Sequence, residues 1–347
     1  MTINDILRNQ VQPNTPFVYQ SALIQSAAAI TMIMFAIGFI NGILSLITFR
    51  TKELRKVGCV LYLLASSITS LLTITMFTIK FWFVVLIQLY STINTSILRI
   101  DCVFLGPVLK LCLYLDGWLN ACVAIERAVN VSKGVNFNKT KSKRVAKWII
   151  MILFILIMGS IVHEPIHHKL FEYTTQKYKS MDNNLTMNIS MESNTNVEYE
   201  NVYNVLCVIR YSRSVQTYNT ITLFIHLVVP FLANLSSALF IIFGTARQRS
   251  AAKQNQTFKV HVLKQMREHK QLLISPFILL TLTIPRLIVS LVSGCVDPSQ
   301  NPWLYLSAYF ISFTPPMLIF FVFVLPSELY TKIFKESIAQ CRPQTRQ

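Results

Sequence analysis

The chain has 347 residues, of which 53% are hydrophobic and only 14% are charged, and its mean hydropathy is +0.48. These values are not those of a soluble globular protein. Seven apolar segments are each long enough for a helix to cross a bilayer. They lie at roughly 22–49, 57–79, 102–126, 148–168, 218–246, 271–294 and 303–325. The sequence therefore predicts an all-α membrane protein, namely a seven-transmembrane helix bundle.

The net charge of +17 would suit a nucleic-acid-binding protein if the basic residues formed one surface. Instead, the segments on the N-terminal side of the predicted membrane hold 8 Lys and Arg residues, and those on the other side hold 22. Short basic loops stay in the cytoplasm. We therefore expect no nucleic-acid partner and a multi-pass chain in the plasma membrane with its N-terminus outside. The predicted regions are an extracellular N-terminus (1–21), a transmembrane domain (22–325), and an amphipathic helix with a cytoplasmic tail (326–347).

The segment before the first span has no signal-peptide pattern, so that span is expected to act as its own insertion signal.

The outer segments carry three glycosylation sequons. Asn94 lies in the loop between Lys80 and Asp101, and Asn184 and Asn188 lie in the long polar loop from Lys169 to Thr217. We expect glycans at these three asparagines.

The third span carries a polar stripe. Asp116, Asn120, Val123 and Arg127 are spaced by four, three and four residues, which places them on one side of a helix. Polar and ionisable side chains in a spanning helix are costly, and they usually face a bundle interior or a wet cavity. The stripe is therefore predicted to face inward.

A polar cluster of His163, Glu164, His167 and His168 ends the fourth span. Residues 163–167, His-Glu-Pro-Ile-His, match the zinc-protease pattern H-E-x-x-H, which places both histidines on one face of a continuous helix. Pro165 lies between them and is expected to break that turn. We therefore expect a polar cluster at the outer rim and no metal site.

The last three spans contain Pro230, Pro285 and Pro315, and a proline frees a backbone carbonyl and permits a kink. After them, Ser327 can cap a short amphipathic eighth helix with its apolar side toward the membrane. This helix ends at Cys341, which is either a palmitoylation site or an unmodified cysteine.

Cys102 precedes Glu126 and Arg127 by 24 and 25 residues. This spacing resembles the third transmembrane helix of rhodopsin-like G-protein-coupled receptors, in which an Asp/Glu-Arg-Tyr motif follows an outer cysteine. Here alanine replaces the tyrosine at Ala128. The chain also resembles the family at the prolines of its last three spans. It departs from the family where Ile68 replaces the aspartate of the second helix, and where the sixth-helix tryptophan is missing.

The resemblance implies a receptor that binds an extracellular ligand and activates a heterotrimeric G protein, with no cofactor and no enzyme activity. It implies a disulfide between Cys102 and Cys207, although Cys295 also lies near the outer surface. It further implies that Arg127 pairs with Glu126 at rest and is released on activation.

Asp116 and Asn120 are expected to hold a sodium ion or a proton in place of the missing aspartate. The alternative is that Asp116 is simply protonated.

Two cations in the upper membrane, Lys110 and Arg286, lie where this family binds its ligands, so an anionic ligand group is expected. Glu164 is the expected protein partner of Arg286 if no ligand fills that role. Lys110 lies about 100° from the Arg127 stripe, so the alternative is that it points toward the fourth helix and extends outward.

Other functions remain as alternatives. A neuropeptide or another small signal is the expected class of ligand, and the acidic outer loop permits a basic peptide. A chemosensory receptor would share the same fold. A seven-helix channel or transporter would require polar residues on several helices or an internal repeat, and the sequence has no repeat. An opsin is disfavoured because residues 303–325 contain no lysine.

Overall fold

The structure is a computed structural model of the chain. It describes residues 17–51, 54–89, 99–178, 199–209, 211–252, 310–325 and 327–341, together with positions 278, 281, 282, 284, 285, 288 and 307.

Five helices in this described part are long and apolar enough to cross a membrane. They are α1 (Phe17–Phe49), α2 (Gly58–Leu89), α3 (Gly106–Lys133), α4 (Lys139–Ile161) and, after a short α5 (His163–His167), α6 (Arg213–Ala252). These match the first five predicted spans, so the helical membrane architecture is confirmed at that level. The sixth and seventh predicted spans are described only in part, and the count of seven remains a prediction.

The second helix is longer than predicted. It continues to Leu89, so Lys80, Phe81 and Trp82 are helical and do not belong to a loop. The stretch that continues the helix contains no glycine or proline to stop it. Phe81 and Lys80 are both buried at the end of the bundle that also holds Cys102.

Helix α3 lies at the centre of the bundle and contacts α2, α4 and α6. Asp116, Asn120 and Val123 are all buried, with no more than 3% of each exposed, so the inward direction of the predicted stripe is correct. A π-helical turn at Asp101–Leu105 leads into the helix, and Pro107 occupies its first turn. Proline is tolerated there because the amide at that position would have no intrahelical acceptor.

The loop between the fourth and fifth predicted spans contains a β-hairpin, which the all-α prediction missed. Strand β1 (His168–Tyr178) pairs antiparallel with β2 (Tyr199–Ile209), and Leu170 is opposite Cys207. The backbone of β1 contacts the π-helical turn at Asp101–Leu105. The sequence signal was present, because β2 is rich in valine, tyrosine and other residues that favour strands.

The C-terminal part consists of α7 (Thr314–Met317), a π-helical turn (Phe320–Val324) and α8 (Glu328–Cys341). Helix α8 is amphipathic as predicted: Ile333 is buried, and Lys332 and Lys335 are exposed. Ile333 and Phe334 pack on the protein core beside Phe320 and Phe323, and contact of this side with the membrane stays a prediction.

Candidate functional site

Three polar groups lie along α3, one near each end and one at its middle. The group near Cys102 contains Lys110, the middle one contains Asp116, and the last contains Glu126 and Arg127. We refer to the two ends of the bundle as the Cys102 end and the Arg127 end.

The Asp116 carboxylate is buried between α2 and α3. It accepts a hydrogen bond from Ser66, and the Ser70 hydroxyl lies 3.4 Å from the same oxygen, Oδ1. The Asn120 amide donates to Oδ2 at 3.3 Å, which brings together the two residues predicted to act jointly. This cluster of carboxylate, amide and hydroxyl oxygens has the chemistry to hold a small hard cation or a proton.

The two serines were not predicted from the sequence. Ser66 and Ser70 are one helical turn apart on α2, and both are buried. Their four-residue spacing is a signal for one face of a helix, but it does not say which carboxylate they would meet.

Glu126 bonds to other helices and not to its neighbour Arg127. The Ser142 hydroxyl on α4 donates to it, and the backbone amides of Gly58 and Cys59 at the start of α2 also bond to it. The Gly58 amide lies 3.2 Å from the Ser142 oxygen. We call Glu126, Ser142 and Gly58 the latch, because together they join α2, α3 and α4.

The predicted resting pair of Glu126 and Arg127 is therefore wrong for this structure. A carboxylate is favoured at a helix N-terminus, where amide groups have no intrahelical acceptor, and the start of α2 supplies two such groups. Adjacent residues on a helix point about 100° apart, which lets Arg127 turn to a different neighbour.

Arg127 lies in an aromatic site formed by the last elements of the chain. Its guanidinium carbon is 5.6 Å from the centre of the Phe323 ring, and it also contacts the Tyr330 phenol and the Cys59 thiol. Tyr330 packs edge-on against Phe49, with ring centres 5.5 Å apart. Burial raises the pKa of Tyr330 to about 12, so the phenol keeps its proton at neutral pH. Phe323, Tyr330 and Cys59 are thus the residues that contact Arg127.

At the Cys102 end, Lys110 forms an ion pair with Glu164. The Lys110 Nζ atom lies 2.5 Å from Glu164 Oε1, and the side chains are 35% and 4% exposed. Lys110 thus points toward the end of the fourth span, which was the alternative direction in the sequence analysis. The expectation that Glu164 would serve Arg286 is not tested, because Arg286 lies outside the described residues.

The three nearby histidines bond to backbone carbonyls. The Nδ1 atoms of His163, His167 and His168 lie within 3.0 Å of the carbonyl oxygens of residues 160, 163 and 164. Within the described part of the chain, no group of three His, Cys, Asp or Glu residues is placed to hold a metal ion.

The predicted break at Pro165 is wrong in detail. His163 to His167 form a separate helix, α5, and Pro165 lies in its first turn, where proline does no harm. Only Val162, whose backbone is itself in the right-handed helical region, separates α5 from α4.

No protein-family model and no curated protein matches the chain. The function must therefore be inferred from the polar groups along α3 and from the elements that surround them.

A fourth polar contact, missed by sequence analysis, joins α3, α4 and α6. Trp118 Nε1 donates to His226 Nδ1 at 2.9 Å, and His226 Nε2 lies 2.9 Å from the Ser160 hydroxyl oxygen. Ser160 donates its own proton to the carbonyl of Ile157, so it must accept from His226. His226 is therefore neutral with its proton on Nε2, and it also stacks on Tyr114 at 4.7 Å.

The prolines occupy different positions in their helices. Pro230 is buried inside α6, which continues through it, and Asn234 Nδ2 donates to its carbonyl at 2.9 Å. Pro285 is helical and half-buried. Pro315 lies in the first turn of α7, so it opens a helix and does not kink the interior of one.

Cys102 is disulfide-bonded. The side chain of Cys207 lies outside the described residues, so its pairing with Cys102 remains a prediction. Cys341 ends α8, and its side chain is likewise not described. The predicted glycosylation sites Asn94, Asn184 and Asn188 all lie outside the described residues.

Proposed function

We propose that the chain is a divergent rhodopsin-like G-protein-coupled receptor, with its N-terminus outside the plasma membrane and the Arg127 end in the cytoplasm. The main support is the placement of Arg127 on the central helix, where it contacts Phe323 and Tyr330 from the C-terminal elements. A cation held by aromatic contacts can be released when the helices around it move, because such contacts contribute only about 0.5–2 kcal/mol.

The surface at the Arg127 end suits a protein partner. Val135, in the short 3₁₀ turn between α3 and α4, is fully exposed. Exposed basic residues flank it at Lys133, Lys139 and Lys141. An exposed apolar side chain surrounded by basic residues is typical of a surface that binds an acidic partner. We assign this surface to the heterotrimeric G protein.

The Asp116 cluster is assigned to the control of the resting state. Its carboxylate joins α2 to α3 through Ser66, so a bound sodium ion or proton would change how these helices attract each other. The ligand is assigned to the Cys102 end, near the Lys110–Glu164 pair and beneath the hairpin.

A ligand-library screen on cells that express the chain tests the function, with calcium and cyclic nucleotide read together. For any agonist found, Arg127→Ala should abolish agonist-driven nucleotide exchange and leave surface expression intact. Lys147→Ala is the matched control, because it removes an exposed cation of α4 that is not part of the surface assigned to the G protein. Equal signalling by the wild type and Arg127→Ala would contradict the proposal.

A further inference from the structure

We propose that Ser142 is a phosphorylation site for a kinase that prefers basic substrates, and that its phosphorylation opens the latch. This inference depends on the proposed orientation, because the Arg127 end must face cytoplasmic ATP. It does not depend on the ligand or on G-protein coupling.

The local sequence has the charge that such a kinase recognises. Ser142 lies in the stretch Lys139-Thr140-Lys141-Ser142-Lys143-Arg144, with basic residues immediately before and after it. Lys139, Lys141 and Arg144 are exposed. These cations are available to pair with acidic groups in the substrate groove of a kinase.

Ser142 lies in the first helical turns of α4, which starts at Lys139. The Asn138 side chain caps this helix by accepting from the Lys141 amide at 3.0 Å, and the Ser142 amide donates to the Asn138 carbonyl at 3.0 Å. The ends of helices open more readily than their centres. The half-buried hydroxyl can therefore reach an enzyme without unfolding of the transmembrane bundle.

The latch has no room for a phosphate group. A Cβ atom built on Gly58 would lie 2.6 Å from the Ser142 oxygen and 2.8 Å from a Glu126 oxygen, so the three groups are already in close contact. Phosphorylation transfers the γ-phosphoryl group of MgATP to Ser142 Oγ, releases ADP, and passes the hydroxyl proton to the kinase. The hydroxyl can then no longer donate to Glu126.

The new charge also repels Glu126. A phosphoserine carries about −1.5 to −2 charges at neutral pH, and next to a carboxylate it disrupts the contact by repulsion of like charges. The phosphate group would instead rotate toward the exposed lysines in the first turn of α4. Helix α4 would thereby lose its bonds to α2 and α3 at this end, and the Gly58 amide would lose its bond to Ser142.

The experiment uses the purified full-length chain in lipid nanodiscs, incubated with MgATP and a purified serine kinase that prefers basic substrates. Mass spectrometry should locate the phosphate on Ser142. Hydrogen exchange in peptides that cover residues 57–60 and 139–146 should then accelerate by about tenfold or more, as expected for the loss of a charged hydrogen bond. Nanodiscs leave both ends of the bundle accessible, so this result does not depend on the orientation in cells.

Three variants complete the experiment. Ser142→Ala should take up no phosphate at this position, and Ser142→Asp should show faster exchange without kinase. Thr140→Ala is the matched control, because Thr140 is exposed in the same basic stretch, and it should behave as the wild type does. Phosphate found on Thr140 but not on Ser142, or phosphate on Ser142 with unchanged exchange, would overturn the proposal. Failure of the receptor function would appear separately, in the agonist assay.

Discussion

Arg127 and Phe323 form a contact that can be tested with one substitution. Phe323→Leu removes the ring face that attracts the guanidinium but keeps an apolar side chain. We expect basal nucleotide exchange to rise about two- to tenfold, since a cation–π contact contributes about 0.5–1 kcal/mol when exposed and more when buried. Exchange on a purified G protein measures this.

Phe321→Leu is the control for that prediction. Phe321 lies in the same π-helical turn but is 50% exposed, so it faces away from Arg127. Equal effects of the two leucine substitutions would show that the ring contact does not restrain Arg127.

The Lys110–Glu164 pair leads to a prediction about stability. Lys110→Met leaves the carboxylate of Glu164 buried without its cation, so it should destabilise the fold by about 1–3 kcal/mol. The double variant with Glu164→Gln should recover most of that loss, because the buried charge is then absent as well. Thermal unfolding in detergent measures both.

A double variant that is no more stable than Lys110→Met would contradict this prediction, because the loss would then not come from the unpaired carboxylate of Glu164. The potency of an agonist on the double variant tests separately where the ligand binds. Loss of potency in a stable double variant would place the ligand beside this pair.

At the scale of elements, the close approach of α2, α3 and α4 depends on Gly58. Gly58→Ala places a methyl group within 3 Å of Ser142 and Glu126, which forces the helix ends apart. We expect a loss of about 1–3 kcal/mol in the free energy of unfolding, as for other overpacked sites. Faster hydrogen exchange at residues 139–146 should accompany it.

Gly159→Ala is the matched control on α4. A Cβ atom at Gly159 would meet nothing within 4 Å, and alanine favours a helix over glycine by about 1 kcal/mol. This variant should therefore be as stable as the wild type or more stable. Similar losses at both glycines would mean that the latch is not as tightly packed as the structure indicates.

At the scale of the whole molecule, a disulfide between Cys102 and Cys207 would fasten the β-hairpin over the Cys102 end. Cys102 is disulfide-bonded, and β1, the partner strand of β2, contacts the turn that contains Cys102. The link closes a loop of about a hundred residues, for which chain entropy suggests roughly 4–5 kcal/mol, reduced by membrane anchoring of the unfolded chain. Peptide mapping without reduction should recover the two cysteines joined.

Recovery of Cys207 joined to Cys295 would contradict this prediction. Cys207→Ser alone should lower thermal stability. Cys122→Ser, which changes a free cysteine inside the bundle, should have a much smaller effect.

Much of the architecture could be predicted because it depends on local periodicity. Apolar runs located the first five spans, and the spacing of Asp116, Asn120 and Val123 gave the inward side of α3 before any partner was known. Hydrophobicity and helical repeat are properties of adjacent residues, so one sequence is enough to read them. The strand-favouring residues of β2 were readable in the same way, but the hairpin also depends on the pairing of two segments that are about twenty residues apart, and the composition of the polar loop does not show that pairing.

The partners of the site residues were decided only by the tertiary structure. The sequence indicated that Glu126, Arg127 and Lys110 are important. It did not indicate that Glu126 bonds to Ser142 and the start of α2, that Arg127 rests on Phe323, or that Lys110 pairs with Glu164. Each of these contacts joins residues on different helices, and the direction in which a helix turns its side chains is fixed by how it packs on its neighbours. That packing depends on the whole bundle, so it cannot be derived from the spacing of residues within one helix.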